Sequence, residues 1–159
     1  MQVVQIVPFR ADLAPHFARL NLAWIEALFA VEDADRPTFA DCEAAIVSPG
    51  GQIFFAIVPP AGDVVGACAV VRHDAQTFEL AKMAVAPEYQ GSGIGRQLAD
   101  AAIAFARERG ARRMTLLTNS GLHRAMRLYE HLGFEQRPML PGPGYARADV
   151  YMELQFGTG

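Results

Sequence analysis

The stretch that decides the fold is residues 77–96, TFELAKMAVAPEYQGSGIGR. It begins with a β-favouring run from Thr77 to Val85, which Ala86-Pro87 ends because proline cannot donate to a continuing strand ladder. Glycines at 91, 93 and 95 follow, directly before apolar residues at helical spacing. A strand, a glycine turn and a helix in this order bring backbone N–H groups and a positive helix end together, which favours a phosphate ligand.

Two other phosphate-binding motifs do not fit these residues. A dinucleotide fingerprint GxGxxG begun at Gly91 would need its third glycine where Arg96 stands, and a P-loop would need a Gly-Lys-Ser/Thr sequence that is absent. The pattern that fits is Gln-x-x-Gly-x-Gly, formed by Gln90, Gly93 and Gly95.

Outside this stretch, alternating and helical patterns predict the remaining elements. The predicted strands are 3–7, 52–58, 64–72, 113–117, 134–137 and 150–156, and the predicted helices are 13–30, 41–47, 122–132 and one from Ile94 that Gly110 ends. Asp12 is the expected N-cap of the first helix, and Leu13, Phe17, Leu20, Trp24 and Leu28 are its expected core face. EDADRP, residues 32–37, is expected to turn. Strands 52–58 and 64–72 are expected to form a hairpin within an α+β fold with a mixed sheet.

Length and composition limit the class of protein. With 159 residues, 52% of them hydrophobic, the chain is expected to form a single domain over residues 1–159. Apolar runs are too short to span a bilayer, so no membrane partner is expected. The start of the chain has no targeting pattern, and a cytoplasmic location is the default expectation.

Charge and metal-ligand spacing exclude other classes. A net charge of −3 without a basic patch predicts no nucleic-acid partner. Cys42 and Cys68 lack metal or redox spacing and are expected to be buried thiols. His16 and His73 have no partners at metal-ligand spacing and are expected at the surface, so no metal is predicted.

Two longer segments carry a family resemblance. ELAKMAVAPEYQGSGIGRQLADAAIAFARERG, residues 79–110, and AMRLYEHLGF, residues 125–134, resemble the cofactor strand, loop and helix and the late helix of the GNAT superfamily of acyl-CoA-dependent N-acyltransferases. The resemblance implies an α+β fold whose mixed, mostly antiparallel central sheet is flanked by helices, with a V-shaped splay between strands four and five. It also implies acetyl-CoA as the acyl donor.

The resemblance implies a set of cofactor-binding residues. Pantetheine would pair with the backbone of Met83 and Val85, and the backbone N–H groups of this segment would stabilise the oxyanion. Many relatives carry an asparagine where Leu122 stands, and Asn119 either contacts CoA instead or serves a turn. The implied cofactor-binding residues are Met83, Ala84, Val85, Gln90, Gly91, Ser92, Gly93, Ile94, Gly95, Arg96 and Asn119.

Two side chains match positions where the family places catalytic groups. Glu79 would be the general base, directly or through water, and its alternative is a solvated or salt-bridged strand residue. Tyr129 would be the acid for the CoA thiolate or a thiol-binding group, and its alternative is a core tyrosine. Arg124 and Arg127 are as compatible with a solvated helix face as with CoA, and His123 and His131 are expected in solvent.

The acceptor side is less defined by the sequence. Family resemblance implies a pocket shaped by Asn21, Trp24, Glu26, Phe29 and the loop around Tyr145, although Trp24 fits the core better. The predicted activity is acetyl transfer to a primary amine of a small molecule or peptide by direct attack in a ternary complex. The alternative is a CoA-binding module without turnover, and acylation of charged tRNA is disfavoured by the acidic balance. A homodimer is expected, although no sequence feature requires it.

Overall fold

The structure is a computed structural model that describes residues 3–139 and 146–157. Its centre is a seven-stranded sheet in the order β1-β2-β3-β4-β5-β7-β6. The strands are β1 Gln5–Pro8, β2 Gln52–Val58, β3 Asp63–Arg72, β4 Thr77–Val85, β5 Arg113–Thr118, β6 Glu135–Arg137 and β7 Val150–Gln155. Within the described residues neighbouring strands are antiparallel, except that β4 and β5 are parallel. The predicted α+β fold with a mixed, mostly antiparallel sheet is therefore confirmed.

Helices cover both faces of the sheet. They are α1 Ala14–Leu28, α2 Asp35–Ala40, α3 Ile94–Glu108 and α4 His123–His131, with a π-helix at Glu43–Val47 and 3-10 turns at Ala11–Leu13 and Pro87–Tyr89. One core, around Phe78, Leu98 and Met114, lies between the sheet and helices α3 and α4. A second core, around Phe17 and Phe55, lies beneath α1 and the π-helix. No helix in the described part of the chain is long and apolar enough to cross a bilayer.

The predicted splay lies between β4 and β5. These strands pair only through Thr77 with Arg113, Phe78 with Met114 and Glu79 with Thr115. Beyond Glu79 the two strands separate, which leaves the second half of β4 facing an opening.

A bulge in β4 lies at this opening. Ala67 of β3 pairs with Ala84, while Ala69 pairs with Ala81, so two residues of β4 oppose Cys68 alone. Lys82 in the bulge has a φ of 53°, a left-handed conformation unusual for a residue with a side chain. The bulge changes the direction of β4 just before the predicted pantetheine segment.

Three predictions for the first third of the chain are wrong. Asp12 does not cap the first helix, because its carboxylate pairs with Arg10 at 3.2 Å and the helix begins at Ala14. Leu28 is 61% exposed, since the last turn of α1 lies beside the opening between the strands. Leu13, Phe17 and Leu20 of the expected face are buried, and Asn21 and Ile25 are buried as well. Residues 35–37, expected to turn, begin α2. The predicted helix 41–47 is present as a π-helix over Glu43–Val47.

Candidate functional site

A cavity of about 650 Å³ opens where β4 and β5 separate. Its walls come from the second half of β4, the end of β5, the start of α3 and one side of α4. The predicted site residues that line it are Glu79, Met83, Ala84, Val85, Gln90, Gly91, Gly93, Ile94, Gly95, Arg96, Asn119 and Tyr129. Of the predicted set, Ser92 is outside this lining. The structure thus brings the predicted base, the predicted acid and the glycine loop into one space.

The glycine loop has a backbone that needs glycine at two positions. Gly91 and Gly93 have φ values of 81° and 86°, in the left-handed region that side chains disfavour. Gly93 is the N-cap of α3 and, without a side chain, leaves the first N–H groups of that helix uncapped. Those donors and the positive helix end face the cavity, which is the arrangement that an anionic group requires.

Hydrogen bonds fix the loop to the end of β4. The side-chain amide of Gln90 donates to the carbonyl of Val85 at 3.1 Å. The hydroxyl of Ser92 donates to the carbonyl of Tyr89. Gln90 and Ser92 therefore hold the loop's shape through their side chains.

Two arginines stand beside the loop. Arg96, in the first turn of α3, is more than half exposed and its Nε lies 3.5 Å from Asp100. Arg124 of α4 lies against Gly91, because a Cβ built on Gly91 would be 3.6 Å from its Nη1. The sequence of α4 is equally compatible with Arg124 contacting CoA or facing solvent, and the structure places Arg124 in the cavity wall. Only the packing of α4 against the loop distinguishes Arg124 from Arg127, so the local sequence does not predict which of the two arginines lines the cavity.

Glu79 has a partner that sequence analysis missed. Glu79 lines the cavity, its side chain is 18% exposed, and its Oε1 lies 2.7 Å from Nε2 of His73. The hydrogen bond to Glu79 raises the pKa of His73 above its ordinary value, against the opposing effect of burial. His73 is indeed at the surface, 49% exposed, but it is not merely solvated. The hairpin register could have shown this, because Val71 pairs with Glu79 and residues two apart share a face of the sheet.

Tyr129 is buried at the other side of the cavity. Its ring packs against Phe134, with centroids 6.1 Å apart. Burial, together with the neighbouring thiol of Cys68, raises the pKa of Tyr129 to about 12. Among residues 3–139 and 146–157 no group forms a hydrogen bond with its hydroxyl. Tyr129 is therefore a neutral phenol with a donor available to a ligand.

Apolar side chains form the wall on the α1 side. Trp24 and Phe29 line the cavity and pack edge to face, with centroids 6.1 Å apart, and the exposed Leu28 lies between them in sequence. Asn21, expected in this pocket, is fully buried and donates to the carbonyl of Phe17 at 3.0 Å. Glu26 is exposed and outside the cavity lining. Tyr145 lies outside the described residues.

A buried network of charges closes the same side. Asp35 has a fully buried side chain, and it accepts from Lys82 Nζ at 2.9 Å and from Arg147 Nη2 at 2.7 Å. Arg147 also lies 3.2 Å from Glu32. Burial raises the pKa of Asp35, but the hydrogen bonds from Arg147, the Glu32 backbone and Lys82 outweigh it and hold that pKa below its usual range. The sequence contains no local pattern that predicts this network.

Asn119 stabilises a turn, which is the expected alternative to a contact with CoA. Its amide donates to the carbonyl of Arg147 at 2.7 Å, and its oxygen accepts from the N–H of Gly121 at 2.8 Å. It also borders the cavity beside Leu122. Asn119 thus fastens the segment before β7 to the end of β5.

The family follows from a direct match. Residues 18–134 match the model of the acetyltransferase (GNAT) family. The chain belongs to this family. Cys42 and Cys68 are free, buried thiols, as expected, and no cluster of three or more metal-ligating His, Cys, Asp or Glu side chains occurs among the described residues of this GNAT chain.

Relatives of known sequence match part of the GNAT chain. The uncharacterized N-acetyltransferase YjgM of Escherichia coli is 39% identical over 93 residues, 57% of this chain and 55% of that protein. The N-acetylaspartate synthetase of Danio rerio is 37% identical over 98 residues, 61% of this chain and 34% of that protein. The chain thus spans about half or less of the length of these relatives.

Solved structures match nearly the whole chain. A GNAT-family acetyltransferase from Staphylococcus aureus superposes with a TM-score of 0.87 at 21% identity, covering 96% of this chain and 99% of that one. The acetyltransferase yncA from Salmonella typhimurium, solved with its cofactor acetyl-CoA, has a TM-score of 0.72 at 22% identity and covers 99% and 96%. At these identities the likeness establishes the fold.

Proposed function

We propose that this GNAT chain is a single-domain N-acetyltransferase that moves the acetyl group of acetyl-CoA to a primary amine of a small molecule or peptide. The observation that carries the proposal is the shared cavity. A glycine loop at a helix start borders one end of it, and a carboxylate and a neutral phenol border its interior. A phosphate cradle alone would give binding, whereas these two groups add the means for proton transfer and charge stabilisation.

The cradle fits the pyrophosphate of acetyl-CoA. Side chains at Gly91 and Gly93 would oppose the left-handed backbone that turns the loop's N–H groups inward. Arg96 and Arg124 supply positive charge beside the loop, and Ser92 and Gln90 maintain its shape. Ile94 and Gly95 begin the helix whose positive end faces the phosphates.

The edge of β4 fits the pantetheine arm. From Leu80 onward β4 has no pairing with β5 in the described structure, so backbone groups of Met83, Ala84 and Val85 face the opening. An extended ligand with amide groups can pair with such an edge as an added strand does. The N–H groups of the same segment stabilise the negative charge that develops on the thioester oxygen. Asn119 borders this space, and in addition to its turn role its side-chain amide has a second N–H that can contact CoA.

Glu79 acts as the base in this proposal. A neutral amine attacks a thioester through its lone pair and must lose one proton as it becomes an amide, and Glu79 lines the cavity in a position to take that proton. It accepts the proton directly or through a water molecule while the amine attacks the acetyl carbon. Because attack occurs while both substrates are bound, no covalent acetyl-enzyme forms.

Tyr129 donates a hydrogen bond to the departing sulfur. Its pKa of about 12 makes full proton transfer to a thiolate difficult. For a thiol of ordinary pKa, about 8.5, that transfer costs about 5 kcal/mol, so the hydrogen bond and not the transferred proton is the useful contribution. The free hydroxyl donor described above is available for that bond.

The test is incubation with acetyl-CoA and a panel of amines, amino acids, polyamines and peptides, followed by detection of free CoA thiol and of acetylated amine by mass spectrometry. Appearance of both products in equal amounts supports transfer. Tight acetyl-CoA binding with no product from any amine would instead indicate a CoA-binding module. We also propose a homodimer formed through the edge strands β1 or β6, which gel filtration tests. A cytoplasmic location is a further proposal, which localisation experiments test.

A further inference from the structure

We propose that His73 is a positioning residue that holds the carboxylate of Glu79 and carries the proton that Glu79 collects out to solvent. This inference rests on the proposed acetyl transfer. It adds a residue outside the cavity to the groups that line it.

The geometry places Glu79 between the cavity and His73. The Glu79 carboxylate borders the cavity, whereas His73 is outside the cavity lining and is about half exposed. Oε1 of Glu79 and Nε2 of His73 are 2.7 Å apart, which is a short hydrogen bond. Glu79 therefore lies between the cavity proposed to hold the acceptor and an imidazole that is about half exposed.

The turn between β3 and β4 holds the imidazole in this place. The N–H of His73 donates to the carbonyl of Thr77 at 3.0 Å. The carboxylate of Asp74 accepts from the N–H groups of Gln76 and Thr77 at 2.8 and 2.9 Å. Since the backbone on both sides of His73 is fixed, a pairing with Glu79 costs little further ordering.

The proton balance of the step is simple. The N–H bond of the attacking amine breaks and an O–H bond forms on Glu79. That O–H bond then breaks as an N–H bond forms at Nε2 of neutral His73, which becomes an imidazolium. The imidazolium releases a proton from Nδ1 to water, which leaves a neutral imidazole with its proton on Nε2. Exchange with water, in which Nε2 loses that proton and Nδ1 gains one, returns the accepting tautomer for the next turnover.

The step requires His73 to be neutral, so the turnover rate should depend on pH. The hydrogen bond to Glu79 raises the pKa of His73 above 6.5, and Asp74 adds to this while burial opposes it. The nearby titratable groups on the neighbouring strands are Tyr151, Glu153 and Arg113. The hydroxyl of Tyr151 donates to Glu153 at 2.6 Å, and burial together with that bond raises the pKa of Tyr151 to about 12. With a pKa of about 12, Tyr151 stays neutral between pH 6 and 9. The rate should therefore increase with pH through the pKa of His73.

The experiment compares pH profiles of kcat for the wild type, His73→Gln and His131→Gln. His131 is an exposed histidine of α4 outside the cavity lining, so its variant is the matched control. For His73→Gln we expect kcat to fall about tenfold near pH 8, which is less than the roughly 10²–10⁴-fold typical of a direct acid or base, because Glu79 still accepts the proton. We also expect loss of the rise in kcat above pH 6.5 and an unchanged Kd for acetyl-CoA. Added imidazole should restore part of the rate to His73→Ala.

A second measurement does not depend on turnover. An NMR titration should show the pKa of His73 falling in Glu79→Gln, because the charged partner is lost. Wild-type turnover with an unchanged pH profile in His73→Gln would overturn the role of His73 and leave the transferase proposal intact. Absence of turnover on every amine by the wild type would overturn both.

Discussion

Nζ of Lys82 lies 2.9 Å from Oδ1 of Asp35, so the bulge of β4 is tied directly to helix α2. Arg147 holds the same carboxylate from the segment before β7. One buried carboxylate thus joins three separate parts of the chain around the acceptor side of the cavity. Glu32 adds a second carboxylate to this network by its contact with Arg147.

The first prediction concerns this carboxylate. Asp35→Asn leaves Lys82 and Arg147 buried beside a neutral amide, and loss of one partner from a buried ion pair typically costs about 3–5 kcal/mol. We expect a decrease of that size in the free energy of unfolding, measured by urea denaturation. The control is Asp33→Asn, whose fully exposed carboxylate pairs with Arg36 and should change stability by less than about 0.5 kcal/mol. Equal stability of the two variants would show that the network is not a stabilising one.

The effect of Asp35 should depend on pH. Its pKa is lowered in the folded protein from an ordinary value of 3.8. A group with a lowered folded pKa contributes stability above its unfolded pKa, and the contribution is lost as the pH falls through the folded value. The stability gap between the wild type and Asp35→Asn should therefore be full at pH 7 and narrow below pH 3.8. A gap that widens on acidification would contradict the lowered pKa.

The glycine loop gives a comparison of two equivalent backbone positions. Gly93 precedes α3 and Gly110 follows it, with φ values of 86° and 83°. Alanine costs roughly 1–2 kcal/mol at either site because of its left-handed backbone. We expect Gly93→Ala to weaken acetyl-CoA binding about tenfold by calorimetry, as 1.4 kcal/mol corresponds to a factor of ten. Gly110→Ala, where a Cβ meets nothing within 4 Å, should leave binding unchanged.

Arg124 and Arg127 test the role of positive charge at the loop. Both are exposed arginines of α4, but only Arg124 lines the cavity and lies against Gly91. Arg124→Gln should raise the Kd for acetyl-CoA about fivefold, equivalent to about 1 kcal/mol for an exposed charge contact, while Arg127→Gln should not. The difference should shrink at high salt, because exposed charges are screened. Equal effects of both substitutions would assign the change to net charge alone.

Tyr129→Phe separates the hydroxyl from the ring. The hydroxyl has no hydrogen-bond partner in the part of the chain that the structure describes, so its removal should leave the melting temperature within about 2 °C of the wild type. With its pKa near 12, the wild-type phenol stays protonated to pH 10, so we expect no alkaline limb from it in the kcat profile. The variant should lose about tenfold to a hundredfold in kcat with little change in KM. A rate equal to that of the wild type would make Tyr129 a core residue only.

The cofactor segment could be predicted from the sequence because its signals are local. Proline stops β4 at Val85 and glycine starts α3 at Ile94, and the structure has both boundaries at those residues. Each signal acts through the backbone of a few neighbouring residues, so no distant contact is needed to identify it.

The acceptor side could not be predicted because distant contacts decide it. Helix α2 contains Pro37 and was expected to turn, yet Asp35 at its start is held by Lys82 and Arg147, which are 47 and 112 residues away. The partner of Glu79 was missed for a similar reason, since it depends on the register of a hairpin. Arg124 required the packing of α4 against the glycine loop. Such pairings become visible only once the strands and helices have been assembled.

The measurement that tests the central claim most directly is the rate of CoA thiol release by the wild type and Glu79→Gln with the best amine acceptor, beside the Kd of each for acetyl-CoA. We expect kcat to fall at least about a hundredfold in the variant while the Kd stays within a factor of two, because the carboxylate acts on the amine and not on CoA. Equal kcat values in the two proteins would contradict the assignment of Glu79 as the base and the account of transfer built on it.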